Sequence, residues 1–234
     1  MAARTHTFAE KTIAFYAGLK NPAGLPRGVE VMNPYVVSPT KELVATFMYK
    51  YFSDTRPRIL MIGINPGRLG GGATGIHFTD PKNLRDYCGI ENDLPPTHET
   101  SSKFIYEMIT AYGGPDKFYG DVFLTAASPL GLTKGGVNYN YYDDPKTAAA
   151  MKPLIVRSIR DYIALGGRTD VAIVLGTGKN FQFLSNLNDE YRFFERLIPV
   201  EHPRFIMQYR TKRKQEYIQK YLEALGEARN SKAK

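Results

Sequence analysis

The sequence predicts an α/β fold of three layers, α/β/α, with helices on both faces of a central, mainly parallel four-stranded sheet. Two observations predict it. Short apolar runs at 58–64, 121–127, 170–175 and 196–200 each end at a turn signal, the pattern of strands buried on both faces. Helical periodicity fills the stretches between them, and strands alternating with helices indicate a parallel sheet.

The chain opens on a helix carrying Phe8, Ile13, Phe15 and Leu19 among Glu10, Lys11 and Lys20. Asn21-Pro22-Ala23-Gly24-Leu25-Pro26 stops it by turn chemistry. A second helix is expected over 40–52, with Thr40 as its N-cap and Leu43, Phe47 and Phe52 on its apolar side. Strand 58–64 runs into Asn65-Pro66-Gly67. Helix 101–112 precedes strand 121–127, which stops at Ser128-Pro129. Helix 146–165 leads to strand 170–175 and the turn Gly176-Thr177-Gly178. Helix 179–187 leads to strand 196–200, which stops at Glu201-His202-Pro203. A last helix is expected over 211–225, followed by a polar tail, 228–234, that frays. Residues 1–234 read as a single domain without internal repeats. Sites in open α/β sheets form beyond the carboxyl ends of the strands. Asn65, Ser128, Gly178 and His202 are therefore expected to share one rim.

Composition narrows the function classes. With 234 residues, 43% of them hydrophobic, the chain can bury a large core without covalent staples. Cys88 is the single cysteine, which excludes an intramolecular disulfide and a cysteine-ligated iron–sulfur cluster. The net charge of +8 favours an anionic partner, most simply nucleic acid. Met1-Ala2-Ala3-Arg4-Thr5-His6 has no apolar run behind a basic start, so no signal peptide pattern is present. No stretch is long and apolar enough to span a membrane. A soluble protein in a reducing compartment, the cytoplasm or nucleoid, is expected.

Three segments could carry chemistry. Residues 63–78, Gly63-Ile64-Asn65-Pro66-Gly67-Arg68-Leu69-Gly70-Gly71-Gly72-Ala73-Thr74-Gly75-Ile76-His77-Phe78, hold too many glycines for a packed helix or strand. Either they form a mobile surface loop, or they let backbone amides approach a ligand. No Gly-Lys-Ser or Gly-Lys-Thr closes them, so a P-loop is excluded. Gly176-Thr177-Gly178-Lys179-Asn180 fails the same test and reads as a strand-to-helix turn whose helix start is open to an anion. The second segment is Glu201-His202-Pro203-Arg204, with Gln208, Tyr209, Arg210, Lys212, Arg213 and Lys214 after it. A lone histidine is more often structural than catalytic. Cations at a helix start oppose the macrodipole, however, and either a phosphate partner or plain solvation relieves that conflict. The third is Asn138-Tyr139-Asn140-Tyr141-Tyr142-Asp143-Asp144, either a polar connection or a surface that stacks on bases.

In these segments the sequence resembles the uracil-DNA glycosylase superfamily, and within it the single-strand-selective monofunctional branch. That branch's strand ending Gly-Met-Asn-Pro-Gly is matched by Gly63-Ile64-Asn65-Pro66-Gly67, and its Thr-Gly-Val-Pro-Phe by Thr74-Gly75-Ile76-His77-Phe78. His-Pro-Ser-Pro-Arg is matched in shortened form by His202-Pro203-Arg204, and Val-Gly-Val-Gly-Arg resembles Leu175-Gly176-Thr177-Gly178-Lys179. The order of the motifs is kept from about Arg58 to Arg210.

The resemblance implies a DNA glycosylase that hydrolyses the N-glycosidic bond of a deaminated base, chiefly uracil, to begin base excision repair. Asn65 would orient the attacking water by positioning it. His202 would donate to a base carbonyl oxygen as negative charge develops there. Phe78 would stack on the flipped base. Ile64 and Gly67 would line its pocket through backbone groups, with Ser128 and Asn140 as further substrate contacts. Gly71, Lys179, Arg204, Arg210, Lys212 and Arg213 are the expected DNA contacts. No metal or organic cofactor is implied, and a monomer acting on uracil-containing DNA is expected. Two departures stand out. Ala126 occupies the place where the family has an Asn that reads the base, which brings in xanthine or hypoxanthine as alternative bases. The shortened second motif implies a weaker wedge and a preference for single-stranded or mismatched DNA. Two rivals remain: a non-catalytic nucleic-acid binder of the same fold, and an enzyme of free nucleotides, suggested by the glycine-rich loop.

Overall fold

The computed structural model describes residues 5–231. The start of the N-terminal segment, 1–4, and the end of the expected tail, 232–234, lie outside the described residues. Helix α1 (Phe8–Ala17) opens on a capping box: Thr7 accepts from the Glu10 N–H, and the Glu10 carboxylate accepts from the Thr7 N–H. Two donors that a helix start leaves free are thereby satisfied. A short strand, β1 (Val29–Met32), follows, and then α2 (Ser38–Tyr51). Thr40 is not the α2 cap. Pro39 fits the first turn, where its missing N–H costs nothing, so the helix starts earlier, after Val37. Thr40 is buried inside the helix and donates to the Ala73 carbonyl at 3.2 Å.

Strand β2 (Arg58–Gly63) leads into α3 (Gly71–Thr74), α4 (Pro81–Asp86), α5 (Thr100–Tyr112) and α6 (Pro115–Asp121). Next come β3 (Val122–Ala126), β4 (Gly131–Lys134), β5 (Val137–Tyr139) and α7 (Pro145–Leu165). Strand β6 (Gly167–Leu175), α8 (Lys179–Tyr191), β7 (Arg196–Val200), α9 (Pro203–Tyr209) and α10 (Lys214–Asn230) complete the described chain. The glycine-rich segment is thus no open loop throughout: Gly71–Thr74 closes one helical turn.

The four expected strands form one parallel sheet in the order β3-β2-β6-β7. β2 lies inside it and is buried along its whole length. The chain moves one way from β2 to β3 through α3–α6, and the other way from β3 to β6 through α7. Right-handed crossovers in opposite directions place their helices on opposite faces. α10 joins α5 on one face, while α1 packs on α7. The three-layer α/β/α architecture is the one expected.

A second, antiparallel sheet, β1-β4-β5, had no counterpart in the sequence reading. Its strands have four, four and three residues and β5 is largely exposed, so no apolar run marks them. The expected helix over 211–225 is divided. A 3-10 turn at Thr211–Arg213 precedes α10, and α9 stands ahead of both. The tail expected to fray from Ala228 stays helical to Asn230, because Ala228 is buried against the core. No helix among the described residues is long and apolar enough to cross a membrane.

Candidate active site

The carboxyl ends of the parallel strands open onto a pocket of about 390 Å³. It is lined from three directions: by Ile64, Asn65 and Gly67 after β2, by Asn138 in β5 with Asn140 and Tyr142 after it, and by His202 and Arg204 at the start of α9. Phe78 and Glu99 complete its walls.

Asn65 is held at both ends of its amide. Its Nδ2 donates to the Tyr139 carbonyl at 3.1 Å, and its Oδ1 accepts from the Tyr141 N–H at 3.2 Å. The connection after β5, sequence-distant from Asn65, therefore sets its rotamer. Behind it, the Tyr141 hydroxyl donates to Asn180 Oδ1 at 2.6 Å. Asn180 Nδ2 donates to Leu175 O at 3.0 Å and Gly63 O at 3.4 Å. This buried network ties β2, β6 and α8 together under the site. Satisfied polar groups in a dry interior hold a single geometry.

Phe78 has φ +55°, the left-handed region that a side chain seldom adopts. The conformation swings its ring over Gly63. A Cβ on Gly63 would stand 2.7 Å from the ring carbons Cε2 and Cζ, so the glycine makes room for the aromatic wall. The ring lies 5.7 Å from the His202 ring, centroid to centroid, at 47°.

His202 is the N-cap of α9, and its Nδ1 accepts the Arg204 N–H at 3.2 Å. An accepting Nδ1 carries no proton. By this hydrogen-bond assignment the neutral ring bears its proton on Nε2, which is free to donate. Burial, with the Arg204 charge as a lesser cause, depresses the imidazole pKa to about 4. His202 is thus a neutral donor at physiological pH.

Of the residues singled out in the sequence, the pocket brings together Asn65, His202, Ile64, Gly67, Phe78, Asn140 and Arg204. It does not include Ser128, which is fully buried: its hydroxyl donates to Leu130 O at 2.7 Å and closes the turn after β3. Ser128 contributes instead through its backbone N–H, bonded to Ile64 O at 3.1 Å. Gly71 is also buried. A Cβ there would press on Ile76 O and the His77 Cα at 3.2 and 3.3 Å, so Gly71 serves close packing and cannot face DNA. Lys179 is exposed at the start of α8, away from the pocket lining. Arg210 and Lys212 are exposed beyond the rim, and Arg213 is paired with Glu216 at 2.7 Å. Ala126 is buried and pairs in register with Gly63; it offers the pocket no side-chain hydrogen bond.

Sequence reasoning missed Glu99 and Phe205, and it quoted Tyr142 and Asn180 within their segments without giving either a role. Glu99 sits in a polar connection, His98-Glu99-Thr100, with no periodicity to single it out. Burial, together with the like charge of Asp80, raises its carboxyl pKa to about 7, and Arg204 opposes the shift. Phe205 and Tyr209 stand exposed at the mouth, ring centroids 5.5 Å apart, with the Arg210 guanidinium 5.3 Å from the Phe205 ring. A signal for this pair was available in the i, i+4 spacing on a helix. Among the described residues, no three His, Cys, Asp or Glu side chains gather as a metal-binding group.

Comparison with known proteins adds to this geometry. The family model described as the uracil DNA glycosylase superfamily matches residues 49–226. The crystal structure of wild-type Pedobacter heparinus SMUG2 is similar to this chain at 44% identity and a TM-score of 0.93, covering 97% of this chain and 100% of that one. Among curated proteins no match is found.

Proposed function

The chain belongs to the uracil-DNA glycosylase superfamily, and on that premise we propose that it is a monofunctional glycosylase that hydrolyses the N-glycosidic bond of deaminated bases in DNA, chiefly uracil. The observation that carries this reading is that Asn65, Phe78 and His202, from separate segments of the chain, line one pocket. Phe78 offers a face on which an extruded base stacks. The free Nε2–H of His202 donates to a base carbonyl oxygen as the leaving base gains negative charge. A neutral donor suits this better than a cation, since it leaves the proton on the imidazole. Asn65, immobilised by the 139–141 backbone, holds the water against the sugar carbon. No lysine lines the pocket among the described residues, so a Schiff base and strand cleavage are not part of the reaction.

Single-stranded or mismatched uracil is the favoured substrate in this reading. His202 leads directly into α9 through Pro203, leaving no projecting loop to fill the gap in a duplex. The exposed Phe205–Tyr209 pair provides a stacking surface for unpaired bases instead. Ala126 supplies no base-reading amide, which keeps xanthine as a second substrate to be tried beside uracil.

The test uses a labelled oligonucleotide with one central uracil, single-stranded and paired with guanine or adenine. Incubation with the protein and then hot alkali gives a cleaved band only if an abasic site has formed. A band that needs the alkali and vanishes in Asn65→Ala supports the proposal. Folded protein that leaves uracil and xanthine untouched on every strand overturns it in favour of a non-catalytic binder.

A further inference from the structure

We infer that Glu99 is a further catalytic residue, the general base that takes the proton from the attacking water. The inference rests on the glycosylase reading above.

Position is the first argument. Glu99 immediately precedes α5, and its N–H donates to Asp80 Oδ2 at 3.1 Å. Two residues earlier, the Thr97 hydroxyl donates to Leu69 O at 2.6 Å, which pins this connection onto the turn that follows Asn65. The carboxyl group then lies over that turn. A Cβ on Gly67 would stand 2.9 Å from Oε1, and one on Gly70 would overlap Oε2. Glycine at both positions leaves the space the carboxyl occupies, two to five residues from Asn65.

The second argument is an unfilled valence. Glu99 Oε2 is buried and has no hydrogen-bond partner in the protein. A buried acceptor left unsatisfied is costly, which favours a carboxylate that takes up a proton. The third is that the residues given roles above cannot serve. The reaction must dispose of a water proton. Asn65 cannot take it, since an amide is a negligible base and both its ends are engaged. His202 has its acceptor nitrogen occupied and presents a donor. Glu99 is the one acidic side chain lining the pocket among the described residues.

Charged groups act on Glu99 from two sides, Asp80 ahead of α4 and Arg204 at the start of α9, and His98 and His202 line the same pocket. Burial and Asp80 raise its pKa to about 7 against the pull of Arg204. A base is most effective when its pKa lies near the working pH.

In the step, the water oxygen bonds to the sugar C1′ as the C1′–N bond breaks, and the bonding pair leaves with the base. The water proton goes to the Glu99 carboxylate and from there to the base anion. Free base and an abasic site result, and the carboxylate is restored.

The experiment measures single-turnover base release from single-stranded uracil DNA between about pH 6 and pH 8, for wild type, Glu99→Gln and Glu99→Asp. Binding to the same DNA and thermal melting are followed in parallel to verify folding. The wild-type rate is expected to rise with pH through a midpoint near 7. Glu99→Gln is expected to be roughly a hundredfold slower or worse, with a flat profile and unchanged binding. Glu99→Asp, shorter but still a carboxylate, is expected to recover part of the rate together with the slope. A merely structural Glu99 would leave the slope in place. Active wild type with Glu99→Gln keeping its rate or its pH slope overturns the role of Glu99 alone. A wild type that releases no base overturns the glycosylase reading and this inference with it.

Discussion

The Tyr141 N–H donates to Asn65 Oδ1 while Asn65 Nδ2 donates to the Tyr139 carbonyl, so one short stretch of backbone grips both ends of one amide. The grip distinguishes amide from carboxylate. An aspartate at this position would set an oxygen against the Tyr139 carbonyl, where an N–H now stands. Asn65→Asp is therefore expected to lose stability by roughly 1–3 kcal/mol, read as a lower midpoint in urea unfolding. Asn65→Ala is expected to slow single-turnover base release by roughly a hundredfold, by analogy with lost oxyanion-hole donors, at unchanged DNA affinity.

Gly63 and Phe78 form a second coupled pair. A methyl on Gly63 meets the ring at 2.7 Å, and the neighbouring Thr125 carbonyl at 3.4 Å limits its escape. Gly63→Ala is expected to displace the ring and to resemble Phe78→Ala in turnover. A double variant should then be little worse than either single one. Independent, multiplying losses in the double-variant kinetics would refute the coupling.

One buried and one half-buried histidine make the fold sensitive to acid. Burial depresses the pKa of His77 to about 4, and that of His202 likewise. In the unfolded chain each takes up a proton near its ordinary value of 6.5. Between the two values the unfolded state binds more protons, so stability rises with pH across the window and falls as pH drops from about 6.5 towards 4. For His77, whose Nε2 has no partner, the loss is on the order of 3 kcal/mol. His77→Phe is expected to flatten the pH dependence of unfolding over that window. An unchanged slope would show that His77 does not titrate there.

The mouth of the pocket separates stacking from charge. Phe205→Ala and Tyr209→Ala are expected to weaken single-strand binding by roughly 1–3 kcal/mol per stacked base, with the salt dependence unchanged. Arg210→Ala or Lys212→Ala is expected to lower the slope of log K against log salt by about one. Arg213→Ala should do less, because Glu216 already neutralises Arg213. Fluorescence anisotropy at several salt concentrations would reveal equal salt slopes in all variants if the assignment were wrong.

The layered α/β/α fold was legible along the chain, since short apolar runs such as 58–64 and 170–175, each closed by a turn signal, suit buried strands. The sequence also marked Asn65 and His202, where turn chemistry at strand ends and the family resemblance fall on the same residues, and Phe78 through the resemblance alone. What it left open was decided by contacts between distant segments. Ser128 stands at a strand end like Asn65, yet its hydroxyl turns inward to Leu130 O and leaves the rim. Gly71 resembles a loop glycine, yet its place is set by the close approach of Ile76 and His77. Glu99 has no local signature: its importance comes from close packing against Gly67 and Gly70 and from the nearby Asp80 and Arg204 charges. Periodicity and turn chemistry are local and can be read along the chain. The rotamer of Asn65 and the protonation of Glu99 depend on neighbours tens of residues away, and only the folded chain brings these together.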